Sequence, residues 1–383
     1  MKKSLLAVAA IGAFASAAQA QSSVTVYGIL DVGFSGLATR GADSSIIKGT
    51  PATDAIANTK VQQNQVGAGY DSTSRLGFKG TEDLGGGTAA FFTVEVGLSP
   101  TSTSASVSGS TNFNNRQAFV GLSKKGIGQF ALGTQYTPVF NAMTATNPGA
   151  NNTVVGSIVY PASDTQGTTT ISMTTRANNA ITAQSDSFAG FRVNGMYNVN
   201  NQDTTQTTTT GGTVNSSGWG LGADYTWKKF YATAAYQSFK NENTNGVNTV
   251  ALNSTDNQAL VGATYDFGIL KAYAQWVNRK ATSAVDSNQY AKRAGQQIGV
   301  RSFITPAVEA WANIGNGRYT AYGVGEPTAN FNAWQLGSNY YLSKRTNLYA
   351  IYGQTTTSST TSADNVTGSA AASQYAIGVR HTF

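Results

Sequence analysis

Apolar and polar residues alternate with a period of two along most of this chain. Val24, Val26, Leu30, Val32 and Phe34 share one parity, and Thr25, Tyr27 and Asp31 the other, as in a strand with one greasy face. Residues 35–61 read as a polar loop. In SRLGFKG, Leu76 and Phe78 face one way and Arg75 and Lys79 the other; beyond the turn TEDLGGG, Ala90, Phe92, Val94, Val96 and Leu98 oppose Phe91, Thr93 and Glu95. FNNRQAFVGL and GQFALGTQY flank the short turn SKKGI, and further pairs turn at 188–190, 227–229, 268, 305–306 and 343–345. The last strand carries Tyr375, Ile377, Val379, His381 and Phe383. Such segments number 16, with short turns alternating with long loops rich in Thr, Ser, Asn and Gly. An even strand number, short turns on one side and long loops on the other predict an all-β fold, a 16-stranded antiparallel transmembrane β-barrel. Charged residues on the non-lipid parity fit a water-filled interior. Tyr225, Trp227, Tyr265, Phe267, Tyr340 and Tyr341 sit beside the short turns, where an interfacial girdle is expected.

One connection stands apart. Residues 137–175, the third long loop, exceed the roughly 12–15 residues beyond which a structureless loop is uncommon, yet they hold Val139, Phe140, Met143, Val154, Val155, Ile158, Val159 and Tyr160. Apolar content of that kind needs a surface to pack on. The expected surface is the inside of the barrel, which the folded-in loop then narrows.

Composition supports this picture without deciding it. Charged residues make up 11% of the chain, against about 25% in ordinary soluble domains, and mean hydropathy is -0.21. Residues 1–20 have Lys2 and Lys3, an apolar run over 5–15 and Ala-Gln-Ala before Gln21, the layout of a cleaved secretory leader; residues 21–383 are then the barrel domain. Loss of the two leader lysines lowers the net charge from +7 to +5. The remaining basic residues are scattered singly rather than clustered with aromatics, which argues against a nucleic-acid partner. There is no cysteine and one histidine, His381, so the sequence offers no disulfide, no cluster of metal ligands and no His-based acyl-transfer site; no metal, cofactor or enzymatic activity is expected.

Seven stretches carry a family resemblance: QSSVTVYGILDVG, SRLGFKGTEDLGGG, NRQAFVGL, GTQYTP, TRANNAI, LSKRTNLY and the terminal IGVRHTF. In this order and over almost the whole length beyond the leader, they resemble the general porins of β-proteobacteria, within the Gram-negative porin family. The resemblance implies a homotrimer in the outer membrane, surrounded by lipid and lipopolysaccharide, with an inward-folded third external loop forming the constriction. It implies passive diffusion of ions and small hydrophilic solutes. By motif it places pore arginines at Arg75, Arg116 and Arg176, with Glu95 as acidic neighbour and Asp164 on the loop. Where relatives often carry a basic residue after a glycine, this chain has Gly133-Thr134. The alternating Tyr375, Ile377 and Val379 with terminal Phe383 resemble the signal read by the outer-membrane barrel assembly machinery. Independently of any family, fixed charge acts strongly on ions in a narrow aqueous gap with low-dielectric walls, and arginine keeps its charge at any relevant pH; three arginines against Glu95 and Asp164 favour anions. A substrate-specific channel, for instance for sugars, and a surface adhesion barrel remain as alternatives.

Overall fold

In the computed structural model the described residues are 23–41, 59–102, 114–159, 173–204, 212–243, 254–283, 288, 290–321, 328–358, 360–361, 366–367 and 369–383. The leader expected at residues 1–20 lies outside them. The strands are β1 (Ser23–Gly41), β2 (Thr59–Ala68), β3 (Arg75–Gly85), β4 (Thr88–Gly97), β5 (Asn114–Lys124), β6 (Gly128–Tyr136), β7 (Arg176–Ser185), β8 (Phe191–Thr204), β9 (Gly212–Trp227) and β10 (Phe230–Asn243). They continue with β11 (Ser254–Asp266), β12 (Lys271–Ser283), β13 (Tyr290–Thr305), β14 (Val308–Ala321), β15 (Thr328–Tyr341), β16 (Thr346–Thr357), the two-residue pair β17 (Thr360–Thr361) and β18 (Val366–Thr367), and β19 (Ala370–Thr382). Among the described residues one helix, α1, spans Pro138–Thr146.

Each large strand pairs antiparallel with its neighbours, and β19 closes on β1 in register from Ile29↔Thr382 to Gly41↔Ala370. The other side of β1 is shared. Its second half pairs with β2 (Val32↔Ala68 to Gly41↔Thr59), and its first half with β3 (Ser23↔Thr81 to Ile29↔Arg75). Thus β2 and β3 lie end to end in one strand position, interrupted where residues 69–74 leave the ladder, and the ring has sixteen positions. Closure leaves no free edge, which a bilayer requires because hydrocarbon offers no partner to an open backbone group.

The two faces differ as the alternation predicts. Val24, Val26, Ile298, Ile314, Leu336 and Ile377 are exposed on one face, the apolar band a lipid environment covers. The opposite face buries Gln237, Gln258, Gln297 and Gln335. Trp227, Tyr265, Phe267 and Tyr340 are exposed beside the short turns, where the girdle is expected. Tyr341 is not part of it: its hydroxyl donates to Glu309 Oε2 at 2.9 Å on the polar face, because consecutive strand residues point to opposite sides.

The expected loop over 35–61 is shorter in the structure, since β1 runs to Gly41 and β2 begins at Thr59. The extra ladder pairs SGLATRG with TKVQQNQ and AAASQYA. Beyond its apolar band a barrel wall stands in water, so these residues need no greasy face and show no hydrophobic period. At the short-turn end, local chemistry fixes the reversals: Gly268 (φ +90°) donates its N–H to Asp266 Oδ1 at 2.7 Å, an Asx turn ending in a residue free to adopt positive φ.

Ile298, 63% exposed in the middle of β13, tests the assignment of faces. Ile298→Arg is expected to cost about 2–4 kcal/mol in lipid vesicles, the range for arginine at a bilayer midplane, read from the shift of the urea unfolding midpoint. An unchanged midpoint would mean that this face does not meet hydrocarbon.

Candidate functional site

Three of the residues expected to line a pore meet at one carboxylate. Arg75 on β3, Glu95 on β4 and Arg116 on β5 occupy adjacent strands on the polar face. Arg116 Nε donates to Glu95 Oε1 at 2.7 Å, and Arg75 NH1 lies 3.8 Å from the same oxygen. Tyr27 donates to Glu95 Oε2 at 3.1 Å, and Arg116 NH2 reaches the Tyr136 hydroxyl at 2.8 Å. The β4–β5 register shifts between Glu95 and Val96, which face Gln117 and Asn115, so Arg116 is the extra residue of a β-bulge. A bulge breaks the strict alternation and re-aims a side chain; here it delivers the guanidinium to Glu95. Two guanidiniums sharing one carboxylate leave the cluster with a positive balance.

Arg176 opens β7 opposite Tyr136 and donates from NH1 to the Asn115 carbonyl at 3.4 Å. It therefore stands beside the cluster, one strand further round, and is held by backbone rather than by Glu95. Asp164 lies outside the described residues.

The interruption between β2 and β3 supports Arg75. Arg75 Nε donates to Thr73 O at 2.9 Å and NH2 to Ser72 Oγ at 3.2 Å. The fully buried Asp31 holds this detour, since its Oδ2 accepts from the N–H groups of Asp71 (2.9 Å) and Ser72 (2.6 Å) and its Oδ1 from the Tyr349 hydroxyl (2.6 Å). The three hydrogen bonds that this carboxylate accepts offset part of what it loses on leaving water. Arg380 on β19 approaches the Asp71 carboxylate at 3.9 Å.

The long connection begins as a helix. Thr137 caps it, accepting from Phe140 N at 3.2 Å, and Pro138 occupies the first turn, where a missing N–H costs nothing. Thr137 also donates from Oγ1 to Thr174 O at 2.7 Å and from N to Thr175 O at 3.1 Å, so the two ends of the connection are tied together. The helix stops at Asn147, whose extended backbone (φ -96°, ψ 118°) is the conformation that Pro148 imposes on its predecessor. Val139 and Met143 pack with Ala235, Leu260 and Val277 of β10–β12. Val154 packs with Trp311, Tyr349 and Ile351, and Ile158 with Phe331 and Ala333. Each of these four side chains is essentially buried and contributes about 1.5–3 kcal/mol relative to exposure.

Segment 137–159 and the strands are joined by side chains that the sequence reading had not singled out. Gln237 accepts from Val139 N (3.3 Å), Gln297 from Ile158 N (2.9 Å) and Gln374 from Val155 N (3.1 Å). Gln275 donates to Met143 O (3.0 Å) and Gln335 to Val154 O (2.8 Å). Arg301, paired with Glu309 through Nε and NH2 at 2.5 and 2.6 Å, donates from NH1 to Pro148 O at 3.0 Å, and Arg293 donates to Ile158 O. Thr153 reaches the β2–β3 detour, bonding Tyr70 O through N (3.0 Å) and Gly69 O through Oγ1 (2.8 Å). A usable signal lay in consecutive apolar residues, Leu260-Val261, Trp276-Val277 and Ala350-Ile351-Tyr352, which show that the polar face of those strands is not entirely wet.

A closed barrel with an apolar outside and charge on its inner wall is shared by many channels, and comparison with known proteins narrows the field. The family model of the Gram-negative porins matches residues 7–360. The chain belongs to the Gram-negative porin family. An outer membrane porin of Bordetella pertussis is 28% identical over 92% of this chain and 94% of its own, and outer membrane porin protein 32 of Delftia acidovorans is 27% identical over 91% and 88%. Among solved structures, the anion-selective porin from Comamonas acidovorans superposes with a TM-score of 0.65 at 22% identity, covering 95% of this chain and all of its own. This porin accordingly resides in the outer membrane.

In this porin Glu95, 4% exposed, and Arg116, 8% exposed, are shielded from water, while the Arg75 side chain stays 19% exposed. Glu95→Gln leaves two guanidiniums facing one another without a counter-charge. It is expected to lower stability by about 3 kcal/mol, in the range for breaking a buried pair, measured by denaturant unfolding in detergent. A variant as stable as the parent would place the Glu95 carboxylate in water.

Proposed function

We propose that this porin is a general diffusion channel with an anion preference, and that segment 137–175 folds into the lumen and forms its constriction. The carrying observation is the convergence of Arg75 and Arg116 on a single Glu95 oxygen at the foot of α1, with Arg176 two strands beyond Arg116. The burial of Val139, Met143, Val154 and Ile158 against side chains of the polar face supports the inward course of the segment. The cluster's positive balance concentrates anions in a narrow aqueous gap with low-dielectric walls. The neighbour from Comamonas acidovorans is an anion-selective porin, which agrees in sign. Passage is passive, carries ions and small hydrophilic solutes, and involves no catalysis, metal or cofactor. The leader 1–20 directs export, leaving 21–383 as the barrel.

Selectivity is the test. A salt-gradient reversal potential is expected to show anion preference at low ionic strength, fading near 1 M salt, where the Debye length falls from about 8 Å at physiological strength to about 3 Å. Arg75→Gln and Arg176→Gln are each expected to reduce it. Cation preference in the parent, or reversal potentials untouched by both substitutions, would remove these arginines from the filter. Saturation of ion flux by sugars would favour a substrate-specific channel instead.

The working unit in this reading is a homotrimer in lipid and lipopolysaccharide, docked through the seam where β1 meets β19. Val24, Val26, Phe34, Tyr375, Ile377 and Val379 are exposed there, and a subunit contact at the seam would cover them in place of lipid. Phe383, whose N–H and C=O both pair with Gly28, completes the strand read by the barrel assembly machinery. Deleting Phe383 is expected to lower the yield of heat-resistant oligomer in membranes, and cross-linking in mild detergent is expected to give trimers. Monomers alone in the parent, or an undiminished yield in the deletion, would refute the respective assignment.

A further inference from the structure

The segment packed on the polar face has a backbone problem. Its N–H and C=O groups run alongside strands whose own groups are already paired, and the burial of Val139, Met143, Val154 and Ile158 excludes water from the contact. Each buried backbone group left unpaired costs about 1–3 kcal/mol. We propose that Gln237, Gln258, Gln275, Gln297, Gln335 and Gln374 form an uncharged amide belt that positions this segment and thereby sets the width of the channel. The proposal rests on the reading above that the segment narrows the lumen.

Glutamine suits the task because one end of a long side chain both donates and accepts. Gln237 accepts from Val139 N and donates to Thr174 O at 3.1 Å; Gln258 accepts from Thr174 N at 2.7 Å and donates to Thr174 Oγ1 at 2.8 Å. Gln297 accepts from Ile158 N and donates to Asn147 Oδ1 at 3.4 Å. Gln335 donates to Val154 O, Val155 O and Asn152 Oδ1, and accepts from Asn152 Nδ2 at 2.9 Å. A carboxylate at these places could only accept and an ammonium only donate, each at the added cost of burying charge.

The belt crosses the wall as three groups of two amides. Gln237 faces Gln258, and Gln275 faces Gln297, in direct register; Gln335 and Gln374 both face Gly353. Glycine at that position lets the segment reach the amides, because a Cβ on Gly353 would collide with the Val155 carbonyl. Six inward amides on six strands, each bonded to one short segment or its returning end, are a shared device rather than six coincidences. The ionisable groups around it are the Arg279–Asp256 pair beside Gln258, Arg293 at Ile158, the Arg301–Glu309 pair beneath Pro148, and Tyr349 with Asp31 beside Val154. Gln335 bonds none of them. Its partners are Asn152, Asn313 and two backbone carbonyls, so among the described residues nothing bonded to Gln335 titrates.

That neutrality gives a test. In Gln335→Glu a carboxylate points at two carbonyls and an amide oxygen, and loses its hold; protonation restores one donor. Burial raises a carboxyl pKa, so the protonated form prevails at about pH 4 and the charged form at about pH 8. Unitary conductance of the purified full-length channel in planar bilayers is expected to match the parent near pH 4 and to depart from it near pH 8, with faster protease cleavage within 137–175 at the higher pH. Gln335→Met should depart from the parent at both. Conductance and cleavage equal to the parent at both pH values overturn the belt. Faster cleavage with unchanged conductance means that the segment is held by the belt but does not narrow the lumen, which overturns the width-setting role. If Gln335→Glu fails to assemble, Gln275→Glu, which faces Met143 O and Thr146 Oγ1, is read in the same way. Arg75→Gln in the same membranes reports the charge filter separately, since its effect is on reversal potential and not on cleavage.

Discussion

A polypeptide crossing hydrocarbon must pair every backbone N–H and C=O within itself, and the rest of this structure follows from that demand. A sheet meets it only when its first and last strands join, as β1 and β19 do over the length of β19. Joining them fixes two faces, one turned to lipid and one to the interior, and the period of two then sorts side chains between them. The break in the ring at residues 69–74 is repaired locally: Asp31, Ser74 and Tyr349 satisfy the detour that the ladder cannot.

The same demand returns on the inner wall in another form. Segment 137–159 has no strand to pair with, yet it is pressed against strands by its apolar side chains. Its polar groups are met by amides projecting from β10 to β13, β15 and β19, together with two guanidiniums that donate to carbonyls. Packing supplies the attraction and the amides supply the register. The detour at Gly69–Tyr70 adds a hold on Thr153 while its far side steadies Arg75, so one irregularity serves both the segment and the charged cluster.

Charge is distributed by the same economy of partners. Arg192 meets Asp224, Arg279 meets Asp256 and Arg301 meets Glu309 in close pairs, which largely cancel. At Glu95 the ratio changes, because Arg75 and Arg116 converge on one carboxylate. A bulge in β5 is what makes this possible, and strict alternation alone would not have brought Arg116 there.

The alternation of Val24 to Phe34 or of Tyr375 to Phe383 determines strand, face and, with the count of turns, a closed membrane barrel, because burial against lipid acts residue by residue and leaves its period in the sequence. Arg75 and Glu95 were legible as inward residues for the same reason, whereas Arg116 was reached only by its motif, since parity with Val120 and Leu122 would turn it outward. The meeting of the three was not legible, since it depends on a register shift that no local pattern announces. Helix α1 was hidden because nine residues with Pro138 and Asn147-Pro148 at their ends carry too short a period to read. The strand extensions to Gly41 and from Thr59 escaped notice because wall outside the lipid needs no apolar face. The amides were invisible as a set, being spread over six strands and more than a hundred residues; only the closing of the ring lines them up, and only the packing of a distant segment decides which of many inward polar residues become its anchors.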